Sequence, residues 1–122
     1  NTPPINQNDT ISRLEKVSEV LNSLDALKKE LRTQFKKLTD QEMLVFSTIY
    51  QLEDQGLAVD YSSLASKINL SESSIRDYVL KLIKKSIPLS KSKENNKKVI
   101  LSIPKEFKQI ATLPTIIILL SE

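Results

Sequence analysis

The fold is decided by the stretch Tyr61–Leu80, which reads YSSLASKINLSESSIRDYVL. Apolar residues recur here at intervals of three and four, first before and then after Asn69. Ser71 stands where the N-cap of a second helix is expected. The spacing therefore predicts a short helix over 62–68, a tight turn at Asn69, and a second helix over 71–85.

The apolar residues of this stretch supply one buried face for each of the two helices. Ala65 is small, so it lets the two helices approach closely, and Asn69 tolerates the left-handed backbone that a tight turn requires. The residues assigned to these faces and to the turn are Leu64, Ile68, Leu70, Ile75, Val79 and Leu82. The stretch is therefore predicted to form a compact helix–turn–helix unit.

A core helix is predicted immediately upstream of this unit. Thr39-Asp-Gln-Glu42 has the pattern of a capping box, in which the Thr hydroxyl and the Glu carboxylate bond reciprocally to backbone N–H groups. Dense apolar residues follow between Met43 and Leu52. Gly56, the only glycine, is placed for a left-handed cap at the end of this helix.

Downstream of Ser86 the apolar spacing changes to two, which is typical of β-strands. The segments 87–93 and 98–103 flank Glu94-Asn-Asn-Lys97, and asparagine tolerates the positive φ of a hairpin turn. Pro88 restricts the first strand to an edge position or to a later start. These features predict a small β-hairpin.

Residues 10–38 predict one long helix, because apolar residues follow heptad spacing without an intervening Gly or Pro. Lys28 occupies one core-type position of this seam. We expect a coiled-coil arm that makes the chain a homodimer; the alternative is an apolar face packed on its own domain. The candidate dimerisation residues are Leu14, Val17, Leu21, Leu24, Leu31 and Phe35.

The two ends of the chain are assigned separately. Residues 1–9 contain two prolines and are expected to form a flexible lead-in. Residues 104–122 form a tail that is expected to pack on the domain or on a partner. Within it, 104–112 predicts a short helix, and the apolar residues 115–120 fit either a strand or a helix.

Composition excludes several classes of function. The 122 residues include neither cysteine nor histidine, which excludes thiol chemistry, Cys/His zinc sites and imidazole catalysis. Glu53 and Asp54 are adjacent, so their side chains diverge and do not form a catalytic pair. We expect a non-enzymatic protein without cofactor or metal. No apolar run is long enough to span a bilayer and no secretory signal is visible, which predicts a cytoplasmic protein.

The predicted fold is mainly α with a small β-hairpin (α+β). Over Leu38–Ile103, the order of elements and the Tyr61–Leu80 stretch resemble the winged helix-turn-helix superfamily of DNA-binding domains. The segment beginning Leu38-Thr-Asp-Gln-Glu-Met-Leu44, with the long helix before it, resembles MarR-type transcriptional regulators. Residues 104–122 depart from that family, because two full dimerisation helices do not fit there. The resemblance implies a winged domain over 39–103.

Charge is distributed unevenly along the chain, although the net charge is only +3. Residues 76–108 contain ten Lys and Arg against three Asp and Glu, a net charge of +7. Residues 39–75 contain one Lys against six Asp and Glu, a net charge of −5. We expect the basic half, which includes the end of the second helix and the hairpin, to face a polyanion.

The candidate DNA-binding residues are small, or they carry hydrogen-bond donors or positive charge, as contact with a groove and its phosphates requires. On the second helix they are Ser71, Ser73, Ser74, Arg76, Asp77 and Lys81. On the hairpin they are Lys91, Lys93, Asn95, Asn96, Lys97 and Lys98. The alternative is ordinary surface chemistry: Glu72–Arg76 and Asp77–Lys81 have the spacing of helical ion pairs, and the lysines fit a solvated loop.

These features together predict a dimeric transcriptional regulator of duplex DNA, nucleoid-associated when bound. The helix 71–85 would enter the major groove while the lysine-rich hairpin lies on the sugar-phosphate backbone. One alternative is a winged-helix subunit that mediates protein–protein contacts in a larger complex. Another is a protein that binds structured RNA, which the lysines would serve equally well.

Overall fold

A long helix opens the part of the chain that the computed structural model describes, residues 7–94 and 98–121. The chain divides into two units, which we call the arm, up to Leu31, and the domain, from Arg32 onwards. The elements are α1 (Gln7–Lys36), α2 (Asp40–Asp54), α3 (Tyr61–Ile68), α4 (Glu72–Lys84), β1 (Ser90–Glu94), β2 (Lys98–Ser102), α5 (Lys105–Ile110) and α6 (Leu113–Ser121). The expectation of a mainly α fold with a small antiparallel hairpin is confirmed.

The helix starts follow from short-range capping. At α2 the Thr39 backbone N–H donates to Glu42 Oε1 at 3.0 Å, and the Glu42 N–H donates to Thr39 Oγ1 at 3.2 Å, so the predicted capping box is confirmed. At α3 a second box joins Asp60 and Ser63, with the Ser63 N–H 2.7 Å from Asp60 Oδ1. Both boxes satisfy N–H groups that would otherwise lack partners at a helix start.

Three residues with positive φ follow helices α2, α3 and α4. Gly56 (φ +81°) and Asn69 (φ +65°) lie where the sequence predicted left-handed backbone. Ser86 (φ +63°) is the unpredicted one. After α4 the Ser86 N–H donates to the Ile83 carbonyl and the Ile87 N–H to the Leu82 carbonyl, both at 3.0 Å. This is a Schellman cap built without glycine.

Replacing Ser86 with glycine should stabilise the domain. Glycine adopts positive φ without steric cost, whereas serine there carries a penalty, so Ser86→Gly should raise the free energy of unfolding by about 0.5–1 kcal/mol. Urea unfolding of the full chain measures the change. Ser90→Gly is the control, because Ser90 lies in β1, where glycine costs stability. Equal losses in both variants would refute the strain at Ser86.

The core of the domain lies between α2, α3 and α4. Its fully buried residues include Val45, Phe46, Ile49, Leu64, Ile75, Val79 and Leu82. Leu64, Ile75, Val79 and Leu82 were assigned to this core from sequence, while Ile68 and Leu70 are only half-buried. This core fixes which side of α4 faces the interior and therefore which side faces solvent.

The hairpin is tied to the helices by one additional backbone pairing. β1 and β2 are antiparallel, with Ser90 opposite Ser102 and Glu94 opposite Lys98. β1 begins two residues after Pro88, in agreement with the predicted later start. The Leu101 N–H also donates to the Val59 carbonyl at 2.8 Å, which places a bridging residue from the α2–α3 connection beside β2.

Helix α5 packs on the rest of the domain through an aromatic cluster. The Phe107 ring of α5 stacks on Phe35 with centroids 6.1 Å apart, and Phe35 meets Phe46 edge-on at 5.1 Å. The Tyr50 hydroxyl donates to the Ala111 carbonyl at 3.2 Å. Residues 115–120, for which strand and helix were both open, lie within helix α6.

The aromatic cluster changes the set of residues available to a dimer seam. Phe35, a candidate dimerisation residue, is 3% exposed inside this cluster, and Leu31 is also buried within the chain. Neither side chain is accessible to a second copy. The other four candidates, Leu14, Val17, Leu21 and Leu24, are exposed on the arm.

Candidate nucleic-acid interface

α4 exposes one face while the opposite face enters the core. Ile75, Val79 and Leu82 are fully buried, at spacings of four and three that define the inner face of the helix. The exposed side chains of α4 are Glu72, Ser73, Arg76, Asp77, Leu80, Lys81, Ile83 and Lys84. This face contains four of the six helix residues that the sequence nominated for DNA contact.

The other two, Ser71 and Ser74, have a structural role at the start of α4. Ser71 Oγ accepts a hydrogen bond from the Ser74 N–H at 3.1 Å, and it donates to Ser74 Oγ at 2.9 Å. This geometry is an N-cap, which holds the first turn of α4 in place. Ser73 remains exposed between them.

Arg76 is the exposed cation nearest the start of α4. Its side chain is 59% exposed, and its guanidinium carbon lies 5.1 Å from the centroid of the Tyr61 ring. Arg76 Nη2 is also 3.8 Å from Glu72 Oε2, one turn earlier on the same helix. The ring and the carboxylate hold a planar, bidentate donor at the helix surface.

A cleft of about 290 Å³ lies beside Arg76. Three elements and their flanks meet there: the start of α3, the first turns of α4, and the start of β2. Its lining includes Asp60 and Tyr61, Glu72 and Arg76, and Lys98 and Val99. The cleft therefore brings a helix cation and a hairpin cation, predicted separately from sequence, to one place.

Lys98 reaches this cleft as part of an ion pair with the α3 cap. Its Nζ is 3.7 Å from Asp60 Oδ2, and its side chain is 70% exposed. The hydrogen bond from the Ser63 backbone N–H, supplemented by Lys98, outweighs partial burial and lowers the pKa of Asp60. Asp60 is therefore charged at neutral pH. An external anion would compete with this carboxylate for Lys98.

The lysines of the hairpin lie on two faces. Lys91 is opposite Leu101 and Lys93 is opposite Val99, so these two lysines share one face of the ribbon. Lys98, opposite Glu94, belongs to the other face. Lys91 and Lys93 are exposed. Asn95, Asn96 and Lys97, also nominated from sequence, lie outside the described residues.

Two cations of the basic half pair with carboxylates of α2. Lys85 Nζ donates to Glu42 Oε1 at 2.7 Å and to the Lys37 carbonyl at 2.9 Å. Lys108 forms an ion pair with Glu53 and lies 3.3 Å from Asp54 Oδ1. The net charge of +7 counted along the sequence therefore overstates the charge that this half presents to a partner.

These internal pairs shift the pKa values of the groups involved. Burial alone would raise the pKa of Glu42, but the hydrogen bonds from Lys85 and Thr39 outweigh it and lower the pKa. For Lys108, the two carboxylates outweigh partial burial and raise the pKa. Glu53 Oε2 additionally accepts the Ile103 N–H at 3.0 Å, which ties the end of β2 to α2.

Sequence reasoning missed two residues of this surface. Tyr61 lies under Arg76, and Leu80 is an exposed apolar residue in the middle of the α4 face. The i,i+4 spacing of Glu72 and Arg76 did signal their ion pair. Tyr61 is fifteen residues away from Arg76, and only the crossing of α3 and α4 brings them together.

Within residues 7–94 and 98–121, no three acidic side chains are grouped so as to hold a metal ion. None of the helices described is both long and apolar enough to cross a bilayer. No protein-family model, curated protein or solved structure matches the chain.

Proposed function

We propose that this chain binds duplex DNA as a winged helix-turn-helix protein and acts as a transcriptional regulator. The observation that carries the proposal is the convergence of Arg76 on α4 and Lys98 on β2 at one cleft beside an exposed helix face. The order of elements along the chain also supports the proposal. It runs α2, the Val59 bridge, α3, α4 and the hairpin, which is the order in the superfamily that residues 38–103 resemble.

In the proposed complex α4 enters the major groove with the face that carries Ser73, Arg76 and Asp77. The major groove of B-DNA is about 12 Å wide and presents a distinct donor and acceptor pattern for each base pair. Arg76 is the residue suited to bidentate contact with guanine, once its guanidinium leaves Glu72. The lysines of the hairpin neutralise phosphates, which contributes affinity without sequence preference.

The β1–β2 hairpin, which would be the wing, is tested by removing two of its exposed lysines, Lys91 and Lys93. Lys91→Gln/Lys93→Gln should bind mixed-sequence duplex DNA more weakly and reduce the slope of log K against log salt by about 1.8, or about 0.9 per phosphate contact. The change should leave stability within about 0.5 kcal/mol, since both side chains are exposed. Fluorescence titration at four salt concentrations measures the slope.

Lys16→Gln/Lys67→Gln is the matched control for this experiment. It removes the same charge from two exposed lysines, one on the arm and one on α3. The control should weaken binding only through the net charge and leave the slope nearly unchanged. Equal slopes for the wing variant, the control and the wild type would contradict the wing assignment.

We propose that the chain is a homodimer through the arm. Six large apolar side chains of α1 are exposed: Ile11, Leu14, Val17, Val20, Leu21 and Leu24. Full burial of an aliphatic side chain contributes about 1.5–3 kcal/mol, so association of this surface is strongly favoured. Two α4 helices in one dimer would then read related half-sites on DNA.

One observation favours a second function, that of a protein-interaction subunit. Leu80 and Ile83 are exposed on α4, and Ile117 and Ile118 are exposed on α6. Charged residues dominate a typical DNA-contacting surface, whereas exposed aliphatic residues are typical of protein interfaces. A Leu80→Ser variant that retains full DNA affinity but loses a co-purifying protein would favour this second function.

A further inference from the structure

The arm carries six large apolar side chains that are exposed. We call this surface the arm stripe: Ile11, Leu14, Val17, Val20, Leu21 and Leu24. Every side chain from Asp9 to Ala26 is exposed, so little of the helix surface is packed along these residues. Helical stability in proteins comes chiefly from such packing, and an unpacked helix is marginal in water. The arm stripe therefore requires a partner.

The position of Lys28 helps to decide whether two arms would pair in parallel or antiparallel. Leu14, Leu21 and Lys28 occupy equivalent positions of successive heptads, and Val17 and Leu24 occupy the other seam position. Parallel pairing in register would place Lys28 against Lys28 of the second copy inside the seam. It would also place Val20 beside Asp25 of the second copy. Both juxtapositions are unfavourable.

Antiparallel pairing removes the Lys28–Lys28 conflict and moves Asp25 from the central Val20 to Ile11, near the end of the seam. When the two helices cross at residue 19, Leu14 meets Leu24 of the second copy and Val17 meets Leu21, and symmetry repeats both layers. In an antiparallel pair, each position beside the seam faces the same kind of position on the second copy, so Val20 meets Val20. Lys28 then lies at the end of the apolar layers, opposite Thr10. The arm stripe is thus complementary to itself, which identifies a second copy of this chain as its occupant.

We propose that two copies pair through antiparallel arms centred on residue 19. This proposal adds the direction of pairing to the homodimer proposed above. It rests on that homodimer, but it requires no contact with DNA. A chain that dimerises with parallel arms would contradict this proposal and leave the DNA-binding proposal intact. A chain that pairs as proposed without binding DNA would do the reverse.

Single-cysteine cross-linking tests the direction, because the native chain contains no cysteine. Leu14→Cys and Leu24→Cys are prepared separately, mixed and oxidised mildly, and each is also oxidised alone. A disulfide requires Cα atoms within about 7 Å, so it reports on close pairing only. We expect several-fold more covalent dimer from the mixture than from either variant alone, with residue 14 linked to residue 24 in peptide mass spectra.

Lys16→Cys mixed with Asn22→Cys is the matched control, because these positions have the same register but lie on the outer side of the helix. The control mixture should give only background cross-linking. A second pair, Val17→Cys with Leu21→Cys, guards against a variant that does not fold. Efficient cross-linking of each single variant with itself would overturn the proposal, and so would absence of cross-linking in both seam pairs.

Discussion

Lys85→Met is expected to lower the free energy of unfolding by about 2–4 kcal/mol. Lys85 Nζ is the partner of the Glu42 carboxylate at 2.7 Å, and the Glu42 side chain is only 2% exposed. Removing the ammonium leaves a buried carboxylate without its cation, although the Thr39 N–H still donates to it, and removes the donor to the Lys37 carbonyl. Lys85 is itself one-third exposed, so water replaces part of the lost interaction. Urea unfolding of the full chain measures the loss.

Lys84→Met is the control for this prediction, since it removes the same charge from the neighbouring, exposed position on α4. Its effect should stay within about 0.5 kcal/mol. Adding Glu42→Gln to Lys85→Met should recover part of the stability, because the buried group is then neutral. Equal losses for the variants at residues 84 and 85 would contradict the role of the pair.

The same pair should make stability dependent on pH. Because the pKa of Glu42 is lowered in the folded state, its contribution is present above the ordinary carboxyl pKa and is lost as pH falls through the lowered value. Unfolding measured from pH 7 down to pH 3 should show this loss in the wild type. In Lys85→Met the loss should be smaller, since the largest influence that lowers this pKa is gone.

Arg76→Gln is expected to reduce discrimination between operator variants by about 1–3 kcal/mol at one base pair. Glutamine cannot make the bidentate contact with guanine that the guanidinium makes. Arg76 is exposed and its partners are Glu72 and the Tyr61 ring, so stability should change little. Competition titrations against duplexes that differ at single base pairs of a selected site measure the discrimination.

Two further variants, at Glu72 and Lys81, distinguish a base contact by Arg76 from a phosphate contact. Glu72→Gln should strengthen DNA binding, because it removes a carboxylate that lies 3.8 Å from the guanidinium and would repel the phosphates of DNA. Lys81→Gln should weaken binding uniformly across sequences, as loss of a phosphate contact does. A uniform loss in Arg76→Gln as well would show that Arg76 contacts phosphate, and would contradict its assignment to a base.

The sequence predicted those elements whose signals are local. The Thr39–Glu42 capping box, the left-handed Asn69 and the start of β1 after Pro88 all depend on residues within four positions of one another. The buried face of α4 followed from spacing alone, because a helix repeats every 3.6 residues. Periodicity and capping therefore fixed which helix face is exposed, and with it Ser73, Arg76 and Asp77.

Features that depend on distant residues escaped prediction. Lys85 and Lys108 counted as external charge until the fold placed them beside Glu42 and Glu53. Phe35 fitted the heptad seam equally well as a dimer contact, but its ring packs on Phe107, seventy-two positions later. The alternation of a β-ribbon likewise separates Lys98 from Lys91 and Lys93, which simple counting had grouped together.

The salt dependence of duplex binding tests the central proposal most directly. Mixed-sequence duplex DNA is titrated with the wild-type chain at salt concentrations from about 50 to 200 mM, the range over which counterion release is readily measured. With four exposed lysines assigned to phosphates in the proposed interface, log K should fall linearly with log salt with a slope approaching about −3.6. Those lysines are Lys81, Lys91, Lys93 and Lys98. Absence of binding at the lowest salt, or a slope near zero, would contradict the proposal that this chain binds duplex DNA.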